Sequence, residues 1–387
     1  MTAPAWHLLT GELSRGGIGD YTRLLADALA DAGREVHAWS PDAAGVTLRR
    51  ASAHPMRGFG RDAFAELGRA LDGFSAPRRL LVQYAPQAWG MRGMNVALGR
   101  WLVARRRTGD DVRVMFHEPF FPFGWQRPQR NLLAAVNRWM ARDLLRASTQ
   151  AYVSTFAWER LLRPLAPSNL PITTLPIPST IPFVDDPARV ASIRKQISED
   201  GCRPVFVHFG TYGGMIAPML IEALGRLIER RPDARILLLG GGGAEFAARL
   251  RADEARFADA LVAPGFQSAE DVSLHLQAAD VALQPYPDGA DTRRTSLMAC
   301  LANGVPTVTT RGRFTRMDMI VAAAGYPSVY EPHRVGEIAA QVYEDPSTTF
   351  VGTDPNVPLR EATRAFYLEH FAMERTVERL LAEEGGG

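Results

Sequence analysis

Short apolar runs alternate along the chain with stretches in which apolar residues recur three and four positions apart. Such runs predict strands, and such spacing predicts amphipathic helices. In the first half the strand segments are 34–41, 79–84, 112–118 and 151–155, and the helical segments are 21–33, 64–71, 94–107, 129–146 and 156–163. Strands and helices that alternate at this interval are typical of a parallel sheet with helices on both faces.

The pattern changes in the proline-rich stretch 164–187, which has little helical periodicity, and we place a domain junction there. The same alternation then restarts, with strands at 204–210, 234–243, near 261–265, at 281–286 and at 305–310. The helices are at 217–230, 244–251, 271–278 and 359–384, and one more starts near Thr295. We therefore expect an N-terminal Rossmann-like domain over 1–183, a C-terminal Rossmann-like domain over 184–358 and a final helical segment over 359–387.

Composition excludes several classes of protein. Apolar residues make up 46% and charged residues 22% of the 387, which is typical of a globular chain. The only lysine, Lys195, lies in a charged run, which disfavours Schiff-base and pyridoxal phosphate chemistry and excludes a lysine-containing phosphate loop. Two cysteines, Cys202 and Cys300, fit a reducing compartment and exclude a disulfide framework or a Cys-based zinc site.

The N-terminal residues lack the basic and apolar segments of a secretory signal, and no apolar run is long enough to cross a membrane, so we expect a cytoplasmic protein. Charge is unevenly spread. Residues 1–183 hold 23 Arg against 14 Asp and Glu, a formal +9, and the remainder carries −7. A basic first half indicates an anionic partner, such as a membrane surface or a phosphorylated ligand, although drift in an arginine-rich chain gives the same imbalance.

Several catalytic motifs are absent from the sequence. The dinucleotide fingerprint fails twice, because Thr22 replaces the third glycine after Gly17 and Gly19, and Glu245 replaces it after the glycine run 240–243. There is no G-x-S-x-G, H-E-x-x-H or D-x-D motif, so hydrolase, zinc protease and metal-bridged interpretations have no support. We therefore expect neither a resident cofactor nor a metal.

Two glycine-rich loops, each ahead of a predicted helix, are candidates for phosphate binding. Glycines let backbone N–H groups approach an anion at the positive end of the helix. A merely flexible loop is the alternative for the first of them. The residues on which this prediction rests are Gly16, Gly17 and Gly19 in the first loop and Gly210 and Thr211 in the second.

A third loop, residues 288–296, brings two carboxylates, two guanidinium groups and two hydroxyls together between an apolar strand and an apolar helix. Carboxylates can accept hydrogen bonds from sugar hydroxyls, arginines can neutralise a diphosphate, and the hydroxyls can cap the helix while they contact phosphate. The alternative is a stretch of charged residues that is simply exposed to solvent. The loop lies between two apolar elements, however, and this favours a function in donor binding. The candidate residues are Asp288, Gly289, Asp291, Arg293, Arg294, Thr295 and Ser296.

Three segments together carry a resemblance: GGIGDYTRLLADALADAG near the start, HEPFF after the strand at 112–118, and PGFQSAEDVSLHLQAADVALQPYPDGADTRRTSLMACLANGVPTVTT at 264–310. They resemble the nucleotide-sugar-dependent glycosyltransferases of family 4. The resemblance implies an α/β GT-B fold with two Rossmann-like domains facing across a cleft, and a retaining, metal-independent transferase. It also implies that the C-terminal domain holds the donor, that the N-terminal domain holds the acceptor, and that the final helix crosses back to the N-terminal domain.

The resemblance also assigns roles to individual residues. Gly16 and Gly17 fall on the glycine loop that approaches the donor diphosphate. His117 falls on a histidine that faces the donor sugar, with Glu118 beside it on the acceptor side; a buried structural histidine is the alternative. Asp291 falls on the first acidic residue of the family's E-x7-E motif, which contacts the donor sugar. We treat His208, inside a strand, as a core residue.

The sequence departs from the family at two places. Thr211 stands where the family often carries an arginine that binds the diphosphate, and no lysine follows it. Arg293 and Arg294 are the replacement charges. Ala299 stands at the second acidic position of the motif, which commonly grips the ribose hydroxyls.

The resemblance implies a hexosyltransferase-like enzyme, which moves a sugar from a nucleoside diphosphate sugar to an acceptor hydroxyl on a glycan, a lipid-linked compound or a small molecule. A nucleotide-sugar epimerase or hydrolase, and a catalytically silent nucleotide-sugar-binding subunit, remain as alternatives. Nucleic acid is not an expected partner. The basic amphipathic stretches 97–107 and 129–146 either lie on an anionic membrane, which would make the protein peripheral to its cytoplasmic face, or pack into the domain core.

Overall fold

The computed structural model of this protein describes residues 4–125, 128, 130–199, 201–315, 328–330, 334–345 and 357–382. The chain divides into two compact units. Unit 1 comprises Met1–Ile177 together with Thr376–Gly387, and unit 2 comprises Pro178–Arg375. Each unit is built on one parallel sheet with helices packed against it.

Unit 1 contains a seven-stranded sheet in the order β3-β2-β1-β4-β5-β6-β7. Its strands are β1 (Trp6–Thr10), β2 (Val36–Ser40), β3 (Ser52–Pro55), β4 (Arg79–Tyr84), β5 (Asp111–Phe116), β6 (Gln150–Val153) and β7 (Ile172–Thr174). Its helices are α1 (Gly16–Asp31), α2 (Arg61–Asp72), α3 (Val96–Arg107), α4 (Arg130–Ala147) and α5 (Phe156–Leu162). Strands β1, β2, β4 and β6 are buried along their whole length, as expected of a parallel sheet covered on both faces.

Unit 2 contains a six-stranded sheet in the order β10-β9-β8-β11-β12-β13. Its strands are β8 (Val205–Phe209), β9 (Arg235–Leu239), β10 (Leu261–Val262), β11 (Val281–Gln284), β12 (Thr307–Thr310) and β13 (Ser328–Tyr330). Its helices are α6 (Pro187–Ser198), α7 (Ala217–Arg230), α8 (Gly243–Asp253), α9 (Ala269–Gln277), α10 (Thr295–Ala302), α11 (Val335–Glu344) and α12 (Leu359–His370), and α13 (Met373–Ala382) follows them.

Side-chain alternation along β9 builds the two core layers of unit 2. Ile236 and Leu238 pack into the cluster beneath α7, α8 and α11, whereas Leu237 and Leu239 pack on the opposite face with residues of α6 and α9. Because successive strand residues point to opposite faces, one short apolar run supplies both layers. Each such buried side chain contributes about 1.5–3 kcal/mol relative to an exposed one. This rigid sheet fixes where the strand-end loops lie.

Helix α3 packs into unit 1 rather than presenting its apolar residues to solvent. Leu102 is fully buried, and the Trp101 ring stacks on Phe64 with centroids 5.4 Å apart. Arg105, in the basic part of this helix, is buried, and its Nε donates to Asp110 Oδ2 at 2.5 Å. Leu102 and Trp101 of the stretch 97–107 therefore pack into the core of unit 1, and contact of this stretch with a membrane stays a prediction.

The segment predicted as one long helix over 359–384 is two helices, α12 and α13, so that prediction is wrong over residues 371 and 372. Phe371 and Ala372 are both buried, and they pack with Phe366 and Tyr367 against residues of α10. Phe371 leaves the helical conformation, with φ −127°, so α12 ends there although the helical spacing of apolar residues continues in the sequence. Tertiary packing outweighs the local sequence pattern at this point. No helix in the described ranges is both long and apolar enough to cross a membrane.

Candidate functional site

The strand order of unit 2 reverses between β8 and β11, and open parallel sheets bind ligands beyond the carboxyl ends of their strands at such a point. A cavity of about 270 Å³ lies there. Six predicted donor-binding residues line it: Gly210, Thr211, Arg293, Arg294, Thr295 and Ser296. The predicted Asp288, Gly289 and Asp291 belong to the same loop but do not line the cavity.

Gly210 closes the end of β8 against the neighbouring strand. Its φ of +151° favours glycine, and its N–H donates to Leu239 O at 3.1 Å. A Cβ on Gly240 would lie 2.3 Å from Gly210 O, so these two backbones approach too closely for any side chain at position 240. Gly210 therefore brings bare backbone to the wall of the cavity, and the exposed Thr211 follows it.

Arg294 is the cation of this cavity that no carboxylate neutralises. Its guanidinium lies over the Tyr286 ring, 4.7 Å from the centroid, and it forms no ion pair with any carboxylate of the described residues. Its Nε is buried without a hydrogen-bond partner among those residues. Burial lowers the pKa of Arg294, and the adjacent Arg293 cation lowers it further. The pKa of an arginine starts so high that the group nevertheless stays charged. Arg294 is thus a half-buried positive charge available to a ligand.

Arg293, its neighbour, is committed to a carboxylate. Asp291 Oδ1 accepts from the Arg293 backbone N–H at 3.0 Å, and Asp291 Oδ2 accepts from Arg293 Nε at 2.8 Å. The Asp291 side chain is only 1% exposed, so the pair is largely removed from water. The structure therefore gives Asp291 a partner within its own loop, whereas the sequence predicted it as a catalytic residue facing the sugar.

Asp288 and Gly289 hold this loop to the one that follows β12. A Cβ on Gly289, whose φ is +86°, would lie 2.3 Å from Gly312 N, and a Cβ on Gly312 would lie 2.3 Å from the Asp288 carbonyl carbon. Asp288 Oδ1 also accepts from Arg313 Nε at 2.8 Å. These residues shape the loop, and the direct contact of Asp288 and Gly289 with the donor stays a prediction.

Helix α10 begins at the cavity. Its N-cap residue, Arg294, makes no capping hydrogen bond with its side chain, so the first N–H groups of the helix are open to an anion. A hydrogen bond of 2.8 Å joins the Ser296 and Tyr286 hydroxyls, and Tyr286 also donates to Gln284 Oε1 at 3.3 Å. Burial raises the pKa of Tyr286, which keeps its hydroxyl neutral. Thr295 and Ser296 therefore lie where the sequence placed them, in the first turn of a helix.

Sequence reasoning missed several lining residues, which are Thr180, Phe209, Ile216, Gln284 and Tyr286. Tyr286 carried a signal that could have found it, since it is an aromatic residue two positions beyond the end of β11. His208 lines the cavity but is also 2% exposed, and its Nδ1 bonds Leu283 O at 2.9 Å. Its prediction as a core residue is therefore confirmed by its burial.

In unit 1, His117 follows the carboxyl end of β5 and is held by both neighbouring strands. Its Nε2 lies 2.8 Å from Gln83 Oε1, so Nε2 carries the proton when that oxygen is the acceptor. The Tyr21 ring meets it edge-on with centroids 5.2 Å apart. Burial lowers the pKa of His117 to about 3, which keeps the imidazole neutral. A neutral ring with a free Nδ1 can accept a hydrogen bond, but it cannot act as a cation.

The glycine loop predicted near the N-terminus is the first turn of α1. Gly16 has φ +77°, Gly17 is exposed with open space around its Cβ position, and a Cβ on Gly19 would press on Leu13 O at 3.1 Å. Glu118 is exposed, and its Oε2 accepts from Gln87 Nε2 at 2.6 Å. In the parts of the chain that the structure describes, no group of three His, Cys, Asp or Glu residues could hold a metal ion.

Comparison with known proteins finds one matching family model and several solved structures of similar fold. Residues 203–344 match the family model of "Glycosyl transferases group 1". A sequence search of the curated proteins found no match. One similar solved structure is the sucrose-phosphate synthase (tll1590) from Thermosynechococcus elongatus, which is 15% identical over 98% of each chain with a TM-score of 0.69.

Two further structures are similar over nearly the whole chain. Alr3699/HepE from Anabaena, in complex with UDP and glucose, is 12% identical over 100% of each chain with a TM-score of 0.70. WaaG, described as a glycosyltransferase involved in lipopolysaccharide biosynthesis, is 15% identical over 99% of this chain and 100% of its own, with a TM-score of 0.67. The predicted α/β GT-B fold is confirmed.

Proposed function

We propose that this chain, which carries a group 1 glycosyl transferase domain in residues 203–344, transfers a sugar from a nucleoside diphosphate sugar to an acceptor hydroxyl. The observation that carries the proposal is Arg294, a half-buried guanidinium that pairs with no carboxylate of the described residues and lines a cavity at the start of α10. A cation and open helix N–H groups at one place favour a diphosphate. HepE, which has the same fold, was crystallised with UDP and with UDP-glucose.

We further propose that transfer retains the configuration of the sugar and needs no metal. In a retaining transfer of this kind the acceptor attacks on the face from which the diphosphate leaves, and the departing phosphate takes the acceptor proton. The protein then has to position both substrates and stabilise the negative charge that develops on the phosphate. Arg294 and the first turn of α10 are placed to do the second of these.

The remaining site assignments concern residues of unit 1: His117 toward the donor sugar, Glu118 on the acceptor side, and the glycines of the first loop toward the donor diphosphate. We propose that the neutral His117 accepts a hydrogen bond from a substrate hydroxyl through Nδ1, with Glu118 as an exposed neighbour. Gly16 and Gly17, in the first turn of α1, supply backbone N–H groups toward an anion, whereas the buried Gly19 lets the helix pack closely on Leu13. Each assignment is residue-specific and can be tested by substitution.

A lipid-linked acceptor is the form of acceptor that unit 1 favours. On α4 and the segment before it, Trp125 is 99% exposed and Leu132 is 68% exposed, and Trp139 is also largely open to solvent. The Arg100 guanidinium lies 5.8 Å from the Trp139 ring centroid, so cations and apolar side chains share this surface. We propose that this surface rests on an anionic membrane, since basic side chains beside exposed aromatic residues fit its charged interface.

A panel of nucleoside diphosphates tests donor binding. UDP, GDP, ADP and dTDP are added separately and the melting temperature is followed. A ligand at 100 times its Kd adds about 2.7 kcal/mol of stability, which is a readily measured shift. If none of the four raises the melting temperature, the proposed binding of a nucleoside diphosphate is contradicted.

A catalytically silent nucleotide-sugar-binding protein is the second candidate. The observation that favours it is the pairing of both Asp291 oxygens with Arg293, together with Ala299, which is fully buried at the second acidic position. Such a protein binds a nucleoside diphosphate without consuming the nucleotide sugar. Donor consumption that depends on an added acceptor supports the transferase, and consumption without any acceptor indicates a hydrolase or epimerase.

A further inference from the structure

A second cavity, of about 610 Å³, lies in unit 2. It is on the opposite edge of the sheet from the cavity of about 270 Å³ at the start of α10, which we call the donor cavity. Its lining residues Ala278 and Gly304 precede β11 and β12, whereas Gly210 and Tyr286 of the donor cavity follow β8 and β11. Because these strands are parallel, residues before the strands and residues after them lie at opposite edges. The volume is within the range of small-molecule binding sites.

Apolar side chains from two helices form most of this cavity. Val190 comes from α6, and Ala365 and Leu368 come from α12. Phe183, just before α6, completes the wall. Phe183 and Leu368 are 38% and 42% exposed, so apolar area remains for a ligand to cover.

Two of the three arginines at this cavity are satisfied by the protein itself. Arg194 Nη1 donates to Asp280 Oδ1 at 2.7 Å and to Ala278 O at 3.0 Å. Arg360 Nη1 donates to Gln277 O at 3.0 Å. Because their hydrogen bonds go to the backbone and to a carboxylate of the fold, these two side chains hold the wall together rather than offer charge to a ligand.

The third arginine, Arg364, is different. Its guanidinium stacks on Phe183, 3.9 Å from the ring centroid, and it has no carboxylate within ion-pair distance among the described residues. Its Nε is buried and makes no hydrogen bond to any of them. The exposed Glu361, one turn earlier on α12, lies on the rim of the same cavity and disfavours ligands with several negative charges.

We propose that this cavity is a second binding site, which takes an amphipathic carboxylate: an apolar chain or ring against Phe183, Val190 and Leu368, and one carboxylate on the Arg364 guanidinium. A single negative charge matches the single unpaired arginine, and the planar guanidinium suits bidentate binding of a carboxylate. The inference does not depend on glycosyl transfer, because none of its residues lines the donor cavity.

Calorimetric titration of the full chain with octanoate tests the proposal, with octyltrimethylammonium as a probe of equal chain length and opposite charge. Arg364→Gln removes the cation, and Ala365→Trp fills the cavity from an exposed helical position. Arg226→Gln, at an exposed arginine of α7 outside the cavity, is the matched control. Circular dichroism checks that each variant melts like the unsubstituted protein.

We expect octanoate to bind and the ammonium probe not to bind. Arg364→Gln should weaken octanoate binding by about tenfold to a hundredfold, the usual effect of losing a hydrogen bond to a charged group. Ala365→Trp should abolish binding, and Arg226→Gln should leave it unchanged. Absence of octanoate binding, equal binding of both probes, or equal binding by Arg364→Gln and the unsubstituted protein would overturn the proposal. If Ala365→Trp does not fold, the Arg364→Gln comparison alone decides.

Discussion

Arg293 and Arg294 are adjacent in sequence, yet their replacement should have opposite consequences. Arg294→Ala removes a guanidinium that has no carboxylate partner in the described structure, so the fold loses little. Arg293→Ala removes the partner of Asp291, whose side chain is 1% exposed, and leaves that carboxylate buried without its counter-ion. Breaking a buried pair by removing one member typically costs about 3–5 kcal/mol of the free energy of unfolding.

For Arg294→Ala we expect a loss of function without a loss of stability. Removal of one preorganised electrostatic group that stabilises a developing negative charge costs about 2.7–4 kcal/mol, which is about a hundredfold to a thousandfold in kcat/KM. Loss of a hydrogen bond to a charged group should also weaken binding of the nucleoside diphosphate by about tenfold or more. Its melting temperature should stay within about 2 °C of the unsubstituted protein, since no native ion pair is broken.

For Arg293→Ala we expect the melting temperature to fall by at least about 6 °C, which follows from about 3 kcal/mol at 2–4 °C per kcal/mol. The double substitution Arg293→Ala with Asp291→Ala should recover much of that loss, because no unpaired carboxylate remains. The assays are calorimetric binding of the diphosphate, steady-state kinetics with an active acceptor, and thermal unfolding. Arg226→Ala is the control for loss of an exposed arginine. An Arg294→Ala protein with unchanged kcat/KM and unchanged diphosphate affinity would refute the reasoning.

Metal dependence, pH and membrane contact give three further tests. EDTA should leave transfer intact, because Arg294 supplies the positive charge; activity lost on chelation and restored by Mn²⁺ would contradict this. Burial, with the neighbouring His37, lowers the pKa of His7 to about 3. The neutral His7 side chain therefore contributes fully to the free energy of unfolding above pH 6.5, and this contribution is lost as the pH falls toward 3. His7→Gln should reduce the drop in unfolding free energy between pH 7 and pH 5 by about 2 kcal/mol in urea denaturation, and an equal drop would oppose the assignment. Vesicles with anionic lipid should sediment the protein at low salt but not at high salt, and Trp139→Asn should weaken this; no sedimentation at low salt would favour a soluble acceptor.

Sequence periodicity found the elements that carry strong apolar patterns and missed those that do not. Strand β4 and helix α7 have the predicted bounds, 79–84 and 217–230. Helix α6 was missed because it buries only Ile197 and Ser198, so its amphipathic pattern is weak. Strand β1 (Trp6–Thr10) was not predicted, although it lies between β2 and β4 in the sheet.

The candidate site was only partly predictable, because its loop is short and rich in charge. Its position between a strand and a helix was enough to single out residues 288–296 as candidates for donor binding, and four of them line the cavity. The sequence could not indicate which arginine pairs with Asp291, since that depends on the direction of each side chain. It also gave no sign that Gly312, beyond the next strand, packs against Gly289.

The choice of arginine over lysine at position 294 also follows from the geometry of the cavity. The side chain is half-buried, and its flat guanidinium lies over the Tyr286 ring. A lysine ammonium in the same place would be desolvated, and burial lowers a lysine pKa from a starting value near 10.4, so its charge would be easier to lose. Arginine begins at least about two units higher and stays protonated, and its planar group can stack on the ring and bind two phosphate oxygens together. A chain with a single lysine can therefore still provide a permanent positive charge at this cavity, through the residue type that tolerates the burial.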